Sequence, residues 1–315
     1  MIDRKQSIPV FMVHMGNQQY ARYVTEKAAE SNTVYVIGDK SNQELDRITN
    51  VEWCDAESLI SEQLQHFREI YVHMSSNDYD YERICFERHF LVYNLAQKLH
   101  ISQLAMIDSD LLIYGRVNDL LAGIQEDFDA ALCWNDKQGP MAWSASPHFS
   151  VWTIEALEDF ISYTNSLYSD PEKLKEKWTW HQENHMPGGI CDMTALFLWK
   201  SGNRTAKRIV NLTPYENPWG FDYNIQQAAE ICPYRKIGRI EDIQFQEGIP
   251  MFFLSSSGEP VHALTIHAQA DAKRYIGMFY HGRNGAMERL FLDIIGYFYK
   301  FRLILNRIFR QIRNR

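Results

Sequence analysis

The feature that most restricts this fold is an alternation of strand and helix signals over the first 110 residues. Ile8–Met15 is an apolar, strand-like run. Asn17 opens a helical pattern that continues through Ala29, and Thr33–Asp39 is a second strand ending in Gly38-Asp39. A strand–helix–strand order implies parallel strands joined by a right-handed crossover. Glu69–His73 reads as a further short strand. Asp80–Leu99 reads as a helix, with Ile84, Phe86, Phe90, Leu91, Leu95 and Leu99 at helical spacing. Leu104–Ile107 is then a core strand. The expected class is α/β, with a Rossmann-like, mostly parallel central sheet flanked by helices. Ligands of such sheets sit beyond the carboxyl ends of the strands. Two of those ends carry acids, at Gly38-Asp39 and at Asp108-Ser109-Asp110.

The second of these is the chemically informative one. Two carboxylates one residue apart, between the apolar runs Leu104–Ile107 and Leu111–Tyr114, are costly to hold near each other and near apolar neighbours. A hard divalent cation such as Mg²⁺ or Mn²⁺ removes that cost and also takes the oxygens of a diphosphate. Asp-x-Asp is common, and most copies are solvated loop acids. Here the flanks are apolar, without the Gly, Pro or Asn of an ordinary turn.

Further along, Ala130–Trp134 reads as a strand and Thr153–Tyr163 as a helix. Asp170–His185 reads as a Trp-containing helical excursion, and Asp192–Ser201 as a helix closed by Gly202. Met251–Leu254 and Val261–His267 read as a hairpin around Ser255–Pro260. With no internal repeat or Pro/Gly linker, the expectation is one domain over residues 1–285 and a tail over 286–315. The five cysteines (Cys54, Cys85, Cys133, Cys191 and Cys232) lack metal-type spacing, which suits reduced thiols in a cytoplasm. The N-terminus is polar and no apolar run reaches membrane-spanning length.

The tail is a separate signal. The net charge is −8, yet residues 289–315 hold seven basic residues and the single acid Asp293. Leu290, Phe291, Ile294, Ile295, Phe298, Phe301, Leu305, Ile308, Phe309 and Ile312 recur at helical spacing between those cations. Such a helix suits a membrane interface, its apolar side in acyl chains and its cations on anionic headgroups. The bland alternatives are packing on the domain or on a second copy. No recognised module accompanies the charge, so nucleic acid is not an expected partner.

Four segments, in order, carry a resemblance to the GT-A glycosyltransferases, particularly family-8-like enzymes and bacterial surface-polysaccharide transferases. They are Phe86-Glu-Arg-His-Phe90, Ile107-Asp-Ser-Asp-Leu-Leu-Ile113, Cys191-Asp-Met-Thr-Ala-Leu196 and Ile266-His-Ala-Gln-Ala-Asp-Ala-Lys273. The resemblance covers roughly residues 8–280. It implies a hexosyltransferase-type enzyme that moves a sugar from a nucleotide-sugar donor, a UDP-sugar, to a glycan or lipid-linked glycan acceptor. The setting it implies is lipopolysaccharide or capsule synthesis at the inner face of the membrane. It implies Mn²⁺ or Mg²⁺ held by Asp108, Asp110 and His267, donor contacts from Arg88, Lys273 and Asp108, and Asp192 at the reacting centre, as a base taking the acceptor proton or an electrostatic partner for the oxocarbenium-like sugar. By placement at the first two strand ends, His14 and Asp39 would border the nucleoside.

Two departures stand out. Ala270 occupies a position that is usually Gly in the family. Pro147–Thr153, with His148 and Ser150, occupies the place of an Asn-x-Gly element that contacts the donor sugar. Asp192 also suits a simple N-cap, Arg88 a helix salt bridge to Glu82 or Glu87, and His181 with His185 an i,i+4 pair on a helix. The rival functions are a sugar-nucleotide nucleotidyltransferase, disfavoured by the single Gly and absent cations in Met15–Tyr20, and a catalytically inactive glycosyltransferase-like binding protein.

Overall fold

The computed structural model describes residues 2–3, 5–124, 127–202, 208–213, 220–228, 231–283, 285 and 287–297. The parallel strands come first: β1 (Val10–His14), α1 (Gln19–Ala29), β2 (Val34–Gly38) and β3 (Val51–Asp55), then α2 (Glu62–Ile70), α3 (Tyr79–Lys98) and β4 (Gln103–Ile107). The short β5 (Leu111–Ile113) and α4 (Val117–Leu120) follow, then β6 (Ala130–Cys133), β7 (Ser146–Thr153), α5 (Ile154–Ser169), α6 (Glu172–Glu183), α7 (Asp192–Ser201) and β8 (Ile209–Asn211). The seven-stranded sheet has the order β3-β2-β1-β4-β7-β6-β8. Only β7 runs against the others, pairing antiparallel with β4 and with β6.

Strand period decides which side each residue covers. Val10 and Met12 of β1, Ala105 and Ile107 of β4, and Phe149 and Val151 of β7 enter one core with Val24 and Ala28 of α1. Their neighbours Phe11, Leu104, Met106 and Trp152 enter the opposite core, with Phe67 of α2, Phe90 of α3, Phe160 of α5 and Trp199 of α7. With both faces covered, β4 is buried throughout, which is why it reads as a continuous apolar run.

Three readings need correction. Glu69–His73 is not a strand. It is the end of α2 and the turn after it, where Phe67 and Tyr71 stack into an aromatic group with Phe86 and Tyr168. Pro147–Thr153, read only as standing in the place of a donor-contacting element, belongs to a strand, Ser146–Thr153, buried along its whole length. The late hairpin splits in two. After β9 (Lys236–Ile237), β10 (Ile240–Glu241) and β11 (Gln244–Gln246), β12 (Ile249–Phe253) pairs with β13 (Pro260–His262). The following strand, β14 (Thr265–His267), leaves that hairpin and pairs antiparallel with β5, placing His267 opposite Leu111. The body closes with α8 (Ile276–Tyr280).

Candidate active site

The residues expected to bind metal, donor or reacting sugar share one cleft of about 1180 Å³ at the carboxyl ends of β1, β2 and β4. His14, Asp39, Arg88, Asp108, Asp110, Asp192, His267 and Lys273 all line it.

Asp108 follows β4, and its backbone N–H donates to the His148 carbonyl. The pairing of β14 with β5 then brings His267 alongside, and the Ala268 N–H donates to the Asp110 carbonyl at 2.9 Å. One ligand atom from each of Asp108, Asp110 and His267 lies within 4.8 Å of the others, the only such group among the described residues. The site fits a cation on a further observation. His267 Nε2 and Asp110 Oδ1 face each other at 3.3 Å, both buried, and neither has a hydrogen-bond partner. The other ring nitrogen, Nδ1, lies 2.6 Å from the Tyr223 carbonyl. A carbonyl can only accept, so Nδ1 carries a hydrogen, and Nε2 is the ring nitrogen that faces the carboxylates and could bind a cation once it gives up its own proton.

Without a cation, protein charges do the neutralising. Lys273 Nζ sits 3.2 Å from Asp110 Oδ2. Burial works against the Asp110 carboxylate, but the adjacent His267 and Lys273 overcome it and hold Asp110 below the usual carboxylate range. Burial likewise opposes a charged His267, and its contact with Asp110 overrides this, raising its pKa to about 9. Binding a cation therefore means releasing a proton from His267.

Arg88 projects from α3 between two acids, hydrogen bonding to Asp108 and, at 2.5 Å through Nη2, to Asp192. The structure thus excludes the helix-pair alternative. Glu87 is engaged by Arg68 and Arg83, and Glu82 by Ser75 and Asn77. Asp192 is not the N-cap either. Cys191 holds that position, and Asp192 is the first residue of α7, its other oxygen accepting from the Met193 N–H at 2.8 Å. Burial raises its pKa to about 6, against the opposing pull of Arg88.

At the other end, Asp39 accepts from the Gly16 and Ser41 N–H groups at 2.9 and 2.8 Å, and His14 pairs with Gln18. Ala270 keeps the backbone that its glycine-preferring position calls for, with φ of 51°. His148 and Ser150, expected near the donor sugar, are fully buried. Ser150 accepts from Trp152 Nε1. His148 stacks flat on His267, centroids 4.3 Å apart, between Ser146 Oγ and the Asp222 carbonyl. Asp222, unmarked in the sequence, accepts the His267 N–H at 2.8 Å. It is part of the scaffold that aims the imidazole. His181 lines the cleft, but His185 lies past the end of α6 with φ of 53°, so they do not share a helix face.

No family model and no curated protein matches the chain. Its fold does match solved structures. Mouse xyloside xylosyltransferase 1 in its apo form superposes with a TM-score of 0.52 at 11% identity, over 85% of this chain and 99% of that one. A glycosyltransferase involved in glycosylating the major capsid of PBCV-1 scores 0.31 at 15% identity, over 53% and 69% of the two chains. The WbbM bifunctional enzyme in its apo form scores 0.40 at 11%, over 69% and 40%. The two lower scores carry no weight here. The first, with the sheet described above, assigns the chain the GT-A glycosyltransferase fold.

Proposed function

We propose that this chain is a metal-dependent glycosyltransferase that moves a sugar from a nucleotide-sugar donor, a UDP-sugar, to a glycan acceptor. The observation that carries the proposal is the convergence of Asp108, Asp110 and His267, with Lys273 beside them, at the strand ends of a GT-A fold. A divalent cation bound by those three would supply Lewis-acid charge to the diphosphate.

The chain's own residues supply the rest. Lys273 is a point charge for the phosphate oxygens as negative charge develops. His14 and Asp39 border the nucleoside. In the net step, the acceptor hydroxyl oxygen bonds to the anomeric carbon while that carbon's bond to the diphosphate oxygen breaks. The electron pair leaves with the nucleoside diphosphate. The hydroxyl proton passes to a nearby base, and Asp192 stands as that base or as a charge partner for the oxocarbenium-like sugar. Arg88, holding both Asp108 and Asp192, keeps them oriented before ligands arrive.

The proposed setting is surface-polysaccharide synthesis at the inner face of a membrane, with the helical tail on anionic lipid. Its support is the exposed apolar face of the helix over 287–297, where Leu290, Phe291, Ile294 and Ile295 all face solvent. On the opposite side Asp293 pairs with Arg274 and Tyr275 of the body. The remaining tail positions, 298–315, lie outside the described residues. No helix among the described residues is long and apolar enough to cross a membrane.

The test is release of nucleoside diphosphate from a panel of nucleotide sugars with and without Mn²⁺. Metal-dependent release that chelator abolishes supports the proposal. Release of pyrophosphate from a nucleoside triphosphate and sugar phosphate would move the chain to the nucleotidyltransferases. Binding without turnover would make it an inactive relative.

A further inference from the structure

We propose that the end of the cleft beyond Asp192 is a saccharide acceptor subsite, with Tyr81, Met141, Trp143, Trp180, His181 and Met186 forming its floor and rim. The inference rests on the sugar-transfer reading above and adds where the acceptor binds and its chemical class.

Topology separates the two ends. Along the sheet edge the order is β2, β1, β4, β7, so Asp39 and His14 lie on one side of Asp108. Because β7 runs in reverse, its first residue Ser146 and the preceding loop, 139–145, come to the other side. The cleft, at about 1180 Å³, exceeds the roughly 300–1,000 Å³ of a typical single-ligand pocket, leaving room for a second substrate.

The far end is a built wall. Lys177, buried on α6, donates to the Ala142 carbonyl at 2.8 Å and to Thr194 Oγ1 at 3.0 Å. This one side chain ties together the helix bearing Trp180 and His181, the loop bearing Met141 and Trp143, and the helix that begins at Asp192. The Ala145 N–H donates to the Met193 carbonyl. Gln138 braces the loop from within, bonding both the N–H and the carbonyl of Ser144. The loop is held against its own preference: Met141 and Trp143 have φ of 55° and 38°, a costly region for large side chains that persists where surrounding structure imposes it, commonly at ligand clamps. Across the cleft, Ser76 and Gly188 exchange two hydrogen bonds, fixing the Met186 segment beside the turn that leads to Tyr81.

The lining points to a neutral sugar. Tyr81 and Met186 are 57% and 49% exposed in a protein whose large aromatic side chains are otherwise mostly buried. A sugar ring offers a C–H face to aromatic rings and hydroxyls to a polar rim, here His181, Ser144 and Asn77. The cations at this end are already engaged: Arg68 and Arg83 on Glu87, Lys177 as above, and Lys173 over the Trp143 ring at 6.0 Å. That leaves little to hold an anionic acceptor.

The experiment uses the full chain with Mn²⁺ and UDP on a printed array of neutral and anionic glycans. In parallel, thermal shifts are measured with Mn²⁺ and a set of nucleoside diphosphates. The wild type is expected to capture neutral glycans. Trp143→Ala and Trp180→Ala should each capture about tenfold less, and Trp180→Phe should keep binding. All variants should retain the nucleotide shift. The inference is overturned if the Ala variants capture glycans as well as wild type, or if only anionic glycans bind. It is also overturned if no neutral glycan binds while the nucleotide shift persists. Absence of any nucleotide shift in the wild type would instead remove the sugar-transfer reading, and this inference with it.

Discussion

The two ends of the cleft are stabilised by opposite means. Around Asp108, Asp110 and His267 the fold gathers buried charge that it only partly neutralises, borrowing Lys273 and Arg88 to do so. Around Trp143 and Trp180 it places hydrogen bonds in the frame and leaves Tyr81 and Met186 exposed. One end is electrostatically incomplete without a ligand, whereas the other is mechanically complete without one. Ligand and pH should therefore act mainly on the first end, and backbone substitutions mainly on the second.

The largest effect is expected where charge is most enclosed. Arg88→Met leaves the buried Asp192 carboxylate without its partner, and loss of one member of a buried pair costs about 3–5 kcal/mol. Urea denaturation of the chelator-treated protein measures it, and a loss below about 1 kcal/mol would show the pair to be solvated. Next is the frame. Gly189 has φ of +146°, and a Cβ there would lie 2.4 Å from the Met74 carbonyl oxygen. Gly189→Ala should cost about 2–3 kcal/mol and weaken glycan capture while leaving the nucleotide-induced thermal shift in place.

A pH experiment sharpens the contrast. The Asp192 pKa is raised from 3.8 to about 6, so the folded state keeps a proton that the unfolded chain releases near pH 4. That contribution is fully present below about pH 4 and is lost as pH rises through about 6. Without metal, the stability of the wild type relative to Asp192→Asn should fall between pH 4 and 6. A flat difference would mean that Arg88 fully offsets burial. The smallest effect is at Ala270. Relieving its left-handed backbone gains about 1–2 kcal/mol, and glycine's extra chain entropy returns about 0.5–1. Ala270→Gly should therefore stabilise by between about 0 and 1.5 kcal/mol, read as a small rise in Tm.

How legible this was depended on how local the determining physics is. The first strand–helix–strand unit, α3 and β4 follow from spacing alone, because each buries one clear stripe or a full apolar run. Asp108-Ser109-Asp110 was legible as a candidate cation pair because it breaks an apolar context, whereas His267 entered only through the resemblance of its segment to the GT-A family. What failed was burial of polar residues satisfied by distant partners. β7 hides behind Ser146, Pro147, His148 and Ser150, whose hydrogen bonds run to one another, to Trp152 and to Asp222. Asp222 has no local motif at all, and it meets His267 from 45 residues away. A run in which His148 and Ser150 alternate with Phe149 and Val151 was the available clue. Glu69–His73 was misread because aromatic and branched residues that seal a helix end have the same composition as a short strand.

The most direct test of the central claim is electron paramagnetic resonance of Mn²⁺ titrated into the full chain with UDP. One Mn²⁺ per chain should bind, with nitrogen coupling from a single imidazole. His267→Leu should lose that coupling, and Asp110→Asn should bind more weakly by tenfold or more. If the wild type takes up no stoichiometric Mn²⁺ in the presence of nucleotide, or if these variants bind it unchanged, the three side chains are not a metal centre and the account fails.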